Sequence, residues 1–129
     1  MQTLKLSWPG GEHEFALRIG ELRALQGAVG AGPEEVFNRL RVGNWRADDL
    51  TQVLKWGLVG GGMEKGQAAQ LVTSLIDLHP LMQFKLAALA VMGHALLGDL
   101  DGDEEPGKPE AGENPANGNS ETSTEPEPS

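Results

Sequence analysis

The sequence predicts an α+β fold, mainly α, in which an N-terminal β-hairpin packs on a bundle of about five short helices and a disordered acidic tail follows. Three observations carry this expectation. Two short runs of alternating apolar and polar side chains flank Pro9-Gly10-Gly11, which is strand chemistry on both sides of turn chemistry. From Glu21 to Leu97 the apolar residues recur instead at helical spacing, broken by glycines and by one His-Pro step. Beyond Gly98 the periodicity stops and the charge changes. The chain has 129 residues and a formal net charge of −9. Residues 1–98 hold nine carboxylates and nine Lys or Arg, whereas residues 99–129 hold ten carboxylates and Lys108 alone. The sequence thus divides into a 1–98 domain and a 99–129 tail.

In the first run Leu4, Leu6 and Trp8 share one side, with Thr3, Lys5 and Ser7 on the other. His13 to Ile19 alternates again, which places Phe15, Leu17 and Ile19 inward. Gly20 breaks that pattern, and a short helix is expected from Glu21, with Leu22, Leu25 and Val29 aligned. Gly30-Ala31-Gly32 ends it. Pro33 suits the first turn of the next helix, with Glu34 and Glu35 at its positive end, Arg39 and Arg41 at its negative end and Gly43 as C-terminal cap.

The stretch from Trp45 to Gly62 organises the rest. Leu50, Val53, Leu54, Gly57 and Leu58 form one face of a central helix, with Asp48 and Asp49 in its first turn and Asn44 as candidate cap. Gly60, Gly61 and Gly62 end the helix and are read as a hinge into a second helical hairpin. Its first arm is Glu64 to Leu78, with Ala68, Leu71, Val72, Leu75 and Ile76 on one face, closed by His79-Pro80. The second arm, Leu81 to Leu97, is apolar around nearly its whole circumference, with Gln83, Lys85 and His94 as its polar interruptions. It is too short and too polar for a membrane span, so it is either the buried centre of the bundle or a surface reserved for a partner. The tail, with five prolines and four glycines among acidic and small polar residues, cannot bury enough to offset chain entropy.

Several function classes are disfavoured. A body of zero net charge offers no basic face for nucleic acid and no field for a membrane surface. The absence of cysteine removes disulfides and thiolate metal sites and fits a reducing compartment. Met1 leads straight into a strand pattern, so no secretory signal is expected. Gly61 and Gly66 have the spacing of a phosphate-binding loop, but Gln67 and Ala68 stand where Lys and a hydroxyl are required. Asp99, Asp101 and Asp103 begin like a calcium loop and fail on glycine position and on Pro106. His13, His79 and His94 lack partners at ligand or catalytic spacing. The expectation is therefore a binding protein that is not an enzyme and uses no cofactor, metal or small-molecule substrate. Trp45 and Trp56, eleven residues apart, either flank the core or belong to a partner surface. The candidate partner-binding residues are Trp45, Trp56, Leu81, Met82, Phe84, Leu89 and Met92.

Leu17-Arg-Ile-Gly-Glu-Leu22, Val36-Phe-Asn-Arg-Leu-Arg-Val-Gly43, Trp45, Asp48-Asp49 and Val53-Leu-Lys-Trp-Gly-Leu-Val-Gly-Gly-Gly62 occur in that order, followed by Ala68-Ala-Gln-Leu-Val72 and Pro80-Leu81. This series resembles the small tail proteins of gene transfer agents and related tailed phages, over residues 4 to about 97. The family carries a tail tube label and is also grouped with tail assembly chaperones. The resemblance implies a chaperone-like protein that binds the tape measure protein during tail morphogenesis in the host cytoplasm, with the tail tube protein as a second partner and self-association left open. The alternative it implies is a structural tail tube or joining subunit that remains in the virion tail.

Overall fold

In the computed structural model, which describes residues 2–98, Leu4–Trp8 (β1) pairs antiparallel with Gly11–Phe15 (β2), from Leu4 opposite Phe15 to Trp8 opposite Gly11. The expected acidic tail at 99–129 lies outside the described residues. Five helices follow the hairpin: Ile19–Val29 (α1), Pro33–Val42 (α2), Ala47–Gly60 (α3), Lys65–Leu78 (α4) and Met82–Leu97 (α5). Pro9-Gly10 makes the tight connection, and Gly11 takes a φ of 102° that other residues rarely adopt.

The second strand is shorter than its alternation suggests. Phe15, Ala16 and Leu17 are all buried, and Ile19, expected inward, is exposed at the start of α1. The reason is a change of partner: the Ala16 N–H donates to Gly57 O of α3 at 2.9 Å, so the chain leaves β1 and runs against a helix. There the two-residue period no longer applies. The first helix also begins earlier than expected, running through Gly20. Its entry is fixed by the Arg18 N–H donating to Glu21 Oε1 at 2.9 Å, and Gly20 lies in the first turn, where amides have no intrahelical partner to lose. The central helix is capped in the same manner. Arg46, and not Asn44, stands at its N-cap, and the Arg46 N–H donates to Asp49 Oδ2 at 2.8 Å. Gly30 and Gly43 end α1 and α2 in left-handed conformation, as C-terminal glycines do.

The core gathers around α3. Leu50, Val53, Leu54 and Leu58 are buried, and Gly57 brings two layers together. A Cβ there would come within 2.9 Å of the Phe15 ring on one side and 3.1 Å of Val91 on the other. The expected hinge glycines have a packing reason to be glycine. A Cβ on Gly60 would lie 1.8 Å from Ala16 O, and one on Gly61 would lie 1.9 Å from Glu14 O. Backbone approaches backbone at this point, so a swing about Gly60 or Gly61 must first break the contact with the hairpin. Gly62, with φ of 116° and nothing within 4 Å of an added Cβ, serves the turn into α4. That helix starts at Glu64, whose carboxylate accepts from the amides of Gly66 at 2.9 Å and Gln67 at 3.0 Å.

Two predictions follow from these local arrangements. Gly60→Ala should destabilise the fold by about 1–3 kcal/mol, because the atoms an added Cβ meets first, Ala16 O and C, are backbone and cannot give way as the end of a flexible side chain can. Gly27→Ala, at an exposed helical position with nothing within 4 Å, should instead stabilise it by up to about 1 kcal/mol. Urea unfolding of the two variants measures the difference, and equal stability would mean that the close approach is not enforced. The amides of Gly66 and Gln67 hold the Glu64 carboxyl below its ordinary value of 4.5. Its contribution is therefore complete above that value and falls away as pH drops through the lower folded-state value. Stability measured against pH should show this acid-side loss in the native chain and a flatter curve in Glu64→Gln.

Candidate partner-binding surface

The last helix has two apolar faces. At about 100° per residue, Phe84, Ala87, Ala88, Val91 and Met92 fall on one arc, and all are buried. Met82, Leu86, Leu89, Ala90, Gly93 and Leu97 fall on the opposite arc. Part of that second arc is covered by α2, since a Cβ on Gly93 would sit 3.7 Å from the Phe37 ring. The N-terminal part is open: Met82 is 62% exposed and Leu86 77% exposed. Leu78, at the end of α4 and four residues before Met82, is 75% exposed. The corner between them is set by His79, extended at the helix end, and by Pro80, which cannot continue α4.

This arrangement divides the sequence-predicted residues. Phe84 and Met92 are fully buried, Phe84 stacking edge-on against Trp8 and His79, so neither presents a surface. Leu81 and Leu89 are half-buried against the core, and Met82 alone of the α5 candidates is largely exposed. Trp45 is half-buried directly before the N-cap of α3, with Leu50 at the fourth helical position, the placement of a hydrophobic staple. Trp56 is also half-buried; its indole N–H donates to Gln52 Oε1 at 3.1 Å, and the Lys55 and Lys65 ammoniums lie 4.6 and 5.6 Å from the ring centre. The candidates therefore do not form one patch. Leu78 and Leu86, which sequence reasoning passed over, carry the open surface. The available signal was angular: in a helix apolar on all sides, the residues opposite the largest side chains are those the core cannot take.

His13 and His94 are both engaged in structure. His13 Nδ1 accepts from the Trp8 indole N–H at 2.9 Å, and a His94 ring nitrogen lies 2.7 Å from Gln2 O. Among the described residues no group of three His, Cys, Asp or Glu is placed to hold a metal ion. No helix among them is long and apolar enough to cross a membrane. What the exposed side chains of Met82, Leu86 and Leu78 offer is apolar area. The two faces of α5 should respond differently to truncation. Phe84→Ala should cost about 3–5 kcal/mol. Leu86→Ala should stay within about 0.5 kcal/mol of the native chain. Thermal unfolding of both separates a core residue from a contact residue, and a large loss at Leu86 would place it inside the core.

Neither the curated proteins nor the solved structures provide a match. A family model described as "Phage tail tube protein, GTA-gp10" matches residues 2–98, which is the whole described body. The hairpin, the five helices and the glycine-ended α3 all fall within that match, and the chain belongs to this family of phage tail proteins.

Proposed function

We propose that this phage tail protein acts during tail assembly as a chaperone-like factor, binding the tape measure protein through the outer face of α5. The observation that carries the reading is the short open apolar row of Met82 and Leu86, one turn apart on α5, with Leu78 also exposed at the end of α4, on a body whose residues 1–98 carry no net charge. An amphipathic helix of a client can lay its apolar face on such a row, where each large side chain covered contributes about 1.5–3 kcal/mol of burial. The binding is protein to protein. It asks for no cofactor, nucleic acid, membrane or small-molecule substrate, and no catalysis.

The second reading is a tail tube or joining subunit that remains in the virion tail. The family description names a tail tube protein and favours this reading over the chaperone. Against it stands the small amount of sheet: two strands of five residues each among the described residues are little material for a tube wall.

Co-expression with the tape measure protein, with a count of this chain in purified particles, tests the two. The chaperone reading expects co-elution with the tape measure, weakened by Leu86→Asp while the fold is kept, and absence from particles. Many copies in particles, with no tape measure complex, would leave the tube subunit.

A further inference from the structure

The Trp8 side chain reaches from the tip of the hairpin into the helices. Its indole is buried, edge-on to Phe15 at 5.5 Å between ring centres and to Phe84 of α5 at 6.3 Å. An indole N–H can only donate, and a donor left unpaired in the interior forfeits a hydrogen bond that water would have supplied. Its acceptor is His13 Nδ1 at 2.9 Å, across the hairpin on β2. This geometry fixes the protonation of the imidazole. Nδ1 must be bare, so the ring proton of neutral His13 is on Nε2. A second proton can go only to Nδ1, where it faces the indole N–H and leaves no lone pair to accept. His13 is half-buried and within reach of a proton from solvent, while Trp8 is buried and its indole has no second acceptor among the described residues.

We propose that the Trp8–His13 bond is a proton-sensitive latch: protonation of His13 releases the indole, loosens the hairpin tip from α5 and uncovers the Phe84 ring. The release is local. Farther along β2 the hairpin is held by backbone contacts of Glu14 and Ala16 with Gly57, Gly60 and Gly61, in which no titratable side chain takes part. Lys5, Glu12 and Glu14 share a cavity with His13, and α3 contributes only Gly61 to it. On the helical side, Leu75 of α4 lies beside Gly10 and Phe84 of α5 beside Trp8, and both are apolar. A second imidazole, His79, stands edge-on to Phe84 at 6.2 Å, so its own protonation is the competing route to the same ring. Phe84 belongs to the first turns of α5, whose outer face carries Met82 and Leu86, and release adds apolar area on the inner side of those same turns. The effect does not depend on whether α5 carries a client.

Nitrogen-15 NMR of the full chain at pH 8 and pH 5, the interval in which histidine changes charge, tests the latch. At pH 8 the His13 proton is expected on Nε2. At pH 5 the Trp8 indole N–H should exchange with solvent about tenfold faster or more, relative to the Trp56 indole, whose acceptor is the Gln52 amide oxygen. Taking the ratio of the two indoles cancels the direct effect of pH on exchange. His13→Asn keeps an acceptor near the place of Nδ1 and takes up no proton, so its ratio should be the same at both pH values. His79→Gln should keep the native change. A His13 proton on Nδ1 at pH 8, or a ratio that does not move in the native chain, would overturn the proposal, and neither depends on a variant folding. A native-sized change that persists in His13→Asn or vanishes in His79→Gln would overturn it as well, by moving the proton to another group.

Discussion

Where the end of α3 lies against β2, backbone meets backbone, and the attachment of the hairpin to the helices depends on that approach. Gly60 and Gly61 admit Ala16 O and Glu14 O at distances no side chain would allow, and the Ala16 N–H reaches Gly57 O one turn earlier. The consequence is that β2 has neighbours on both edges although the sheet has only two strands. An isolated hairpin is marginal in water, and here the second edge is supplied by a helix terminus. The same approach sets the position of Phe15, whose ring fills the space that Gly57 leaves open. A side chain at any of these three glycines would push the hairpin off the core that it completes.

The orientation of α1 against α3 is fixed by a reciprocal pair of arginines. Arg18, at the start of α1, donates to Gly60 O, the last carbonyl of α3. Arg46, at the start of α3, donates to Val29 O at 2.6 Å, the last carbonyl of α1. Each helix thus begins where the other ends, and each guanidinium meets the negative end of its neighbour's dipole. Hydrogen bonds with one charged partner contribute about 1.5–3 kcal/mol each, which makes this pair comparable with one large core side chain. Asp49 ties the second corner further. Its carboxylate is fully buried, caps the Arg46 amide and pairs with both Arg39 and Arg46 at 3.2 Å. Removing either arginine alone would leave that carboxylate short of a partner, so α2 is held to α3 by a charge that has nowhere else to go.

Much of this architecture was legible in the sequence because it rests on period and punctuation. The alternation of Leu4, Leu6 and Trp8, the helical face of α3 and the capping glycines Gly30 and Gly43 all follow from local chemistry. The departures occur where a distant residue decides. Ile19 continues an alternation in sequence and is exposed in the fold because Ala16 has already turned to α3. Asn44 has the better capping side chain, yet the helix starts at Arg46 because Asp49 reaches back to the Arg46 amide and two arginines converge on it. The glycine triplet reads as a hinge from its entropy cost alone, and only the position of Ala16 O gives it a packing reason. At the candidate surface the signal was weaker still. Composition marks all of α5 as apolar, and nothing in it says that Phe84 and Met92 turn inward while Met82 and Leu86 turn out.

That division within α5 bears on how such a surface is maintained. A helix that is apolar all round is ordinarily buried all round. Here the inner side is filled by Phe84, Val91 and Met92, and α2 covers Gly93 with Phe37, but in the first two turns Met82 and Leu86 are exposed among the described residues. Leaving Met82 and Leu86 exposed costs the folded chain little, since they are exposed in the unfolded chain as well. Their burial is unused in folding, and it is this free energy that the proposed contact with a client would draw on. A subunit held permanently in a polymer would have that surface covered at all times, and so would a factor loaded with its client. The two differ in whether the cover is ever removed.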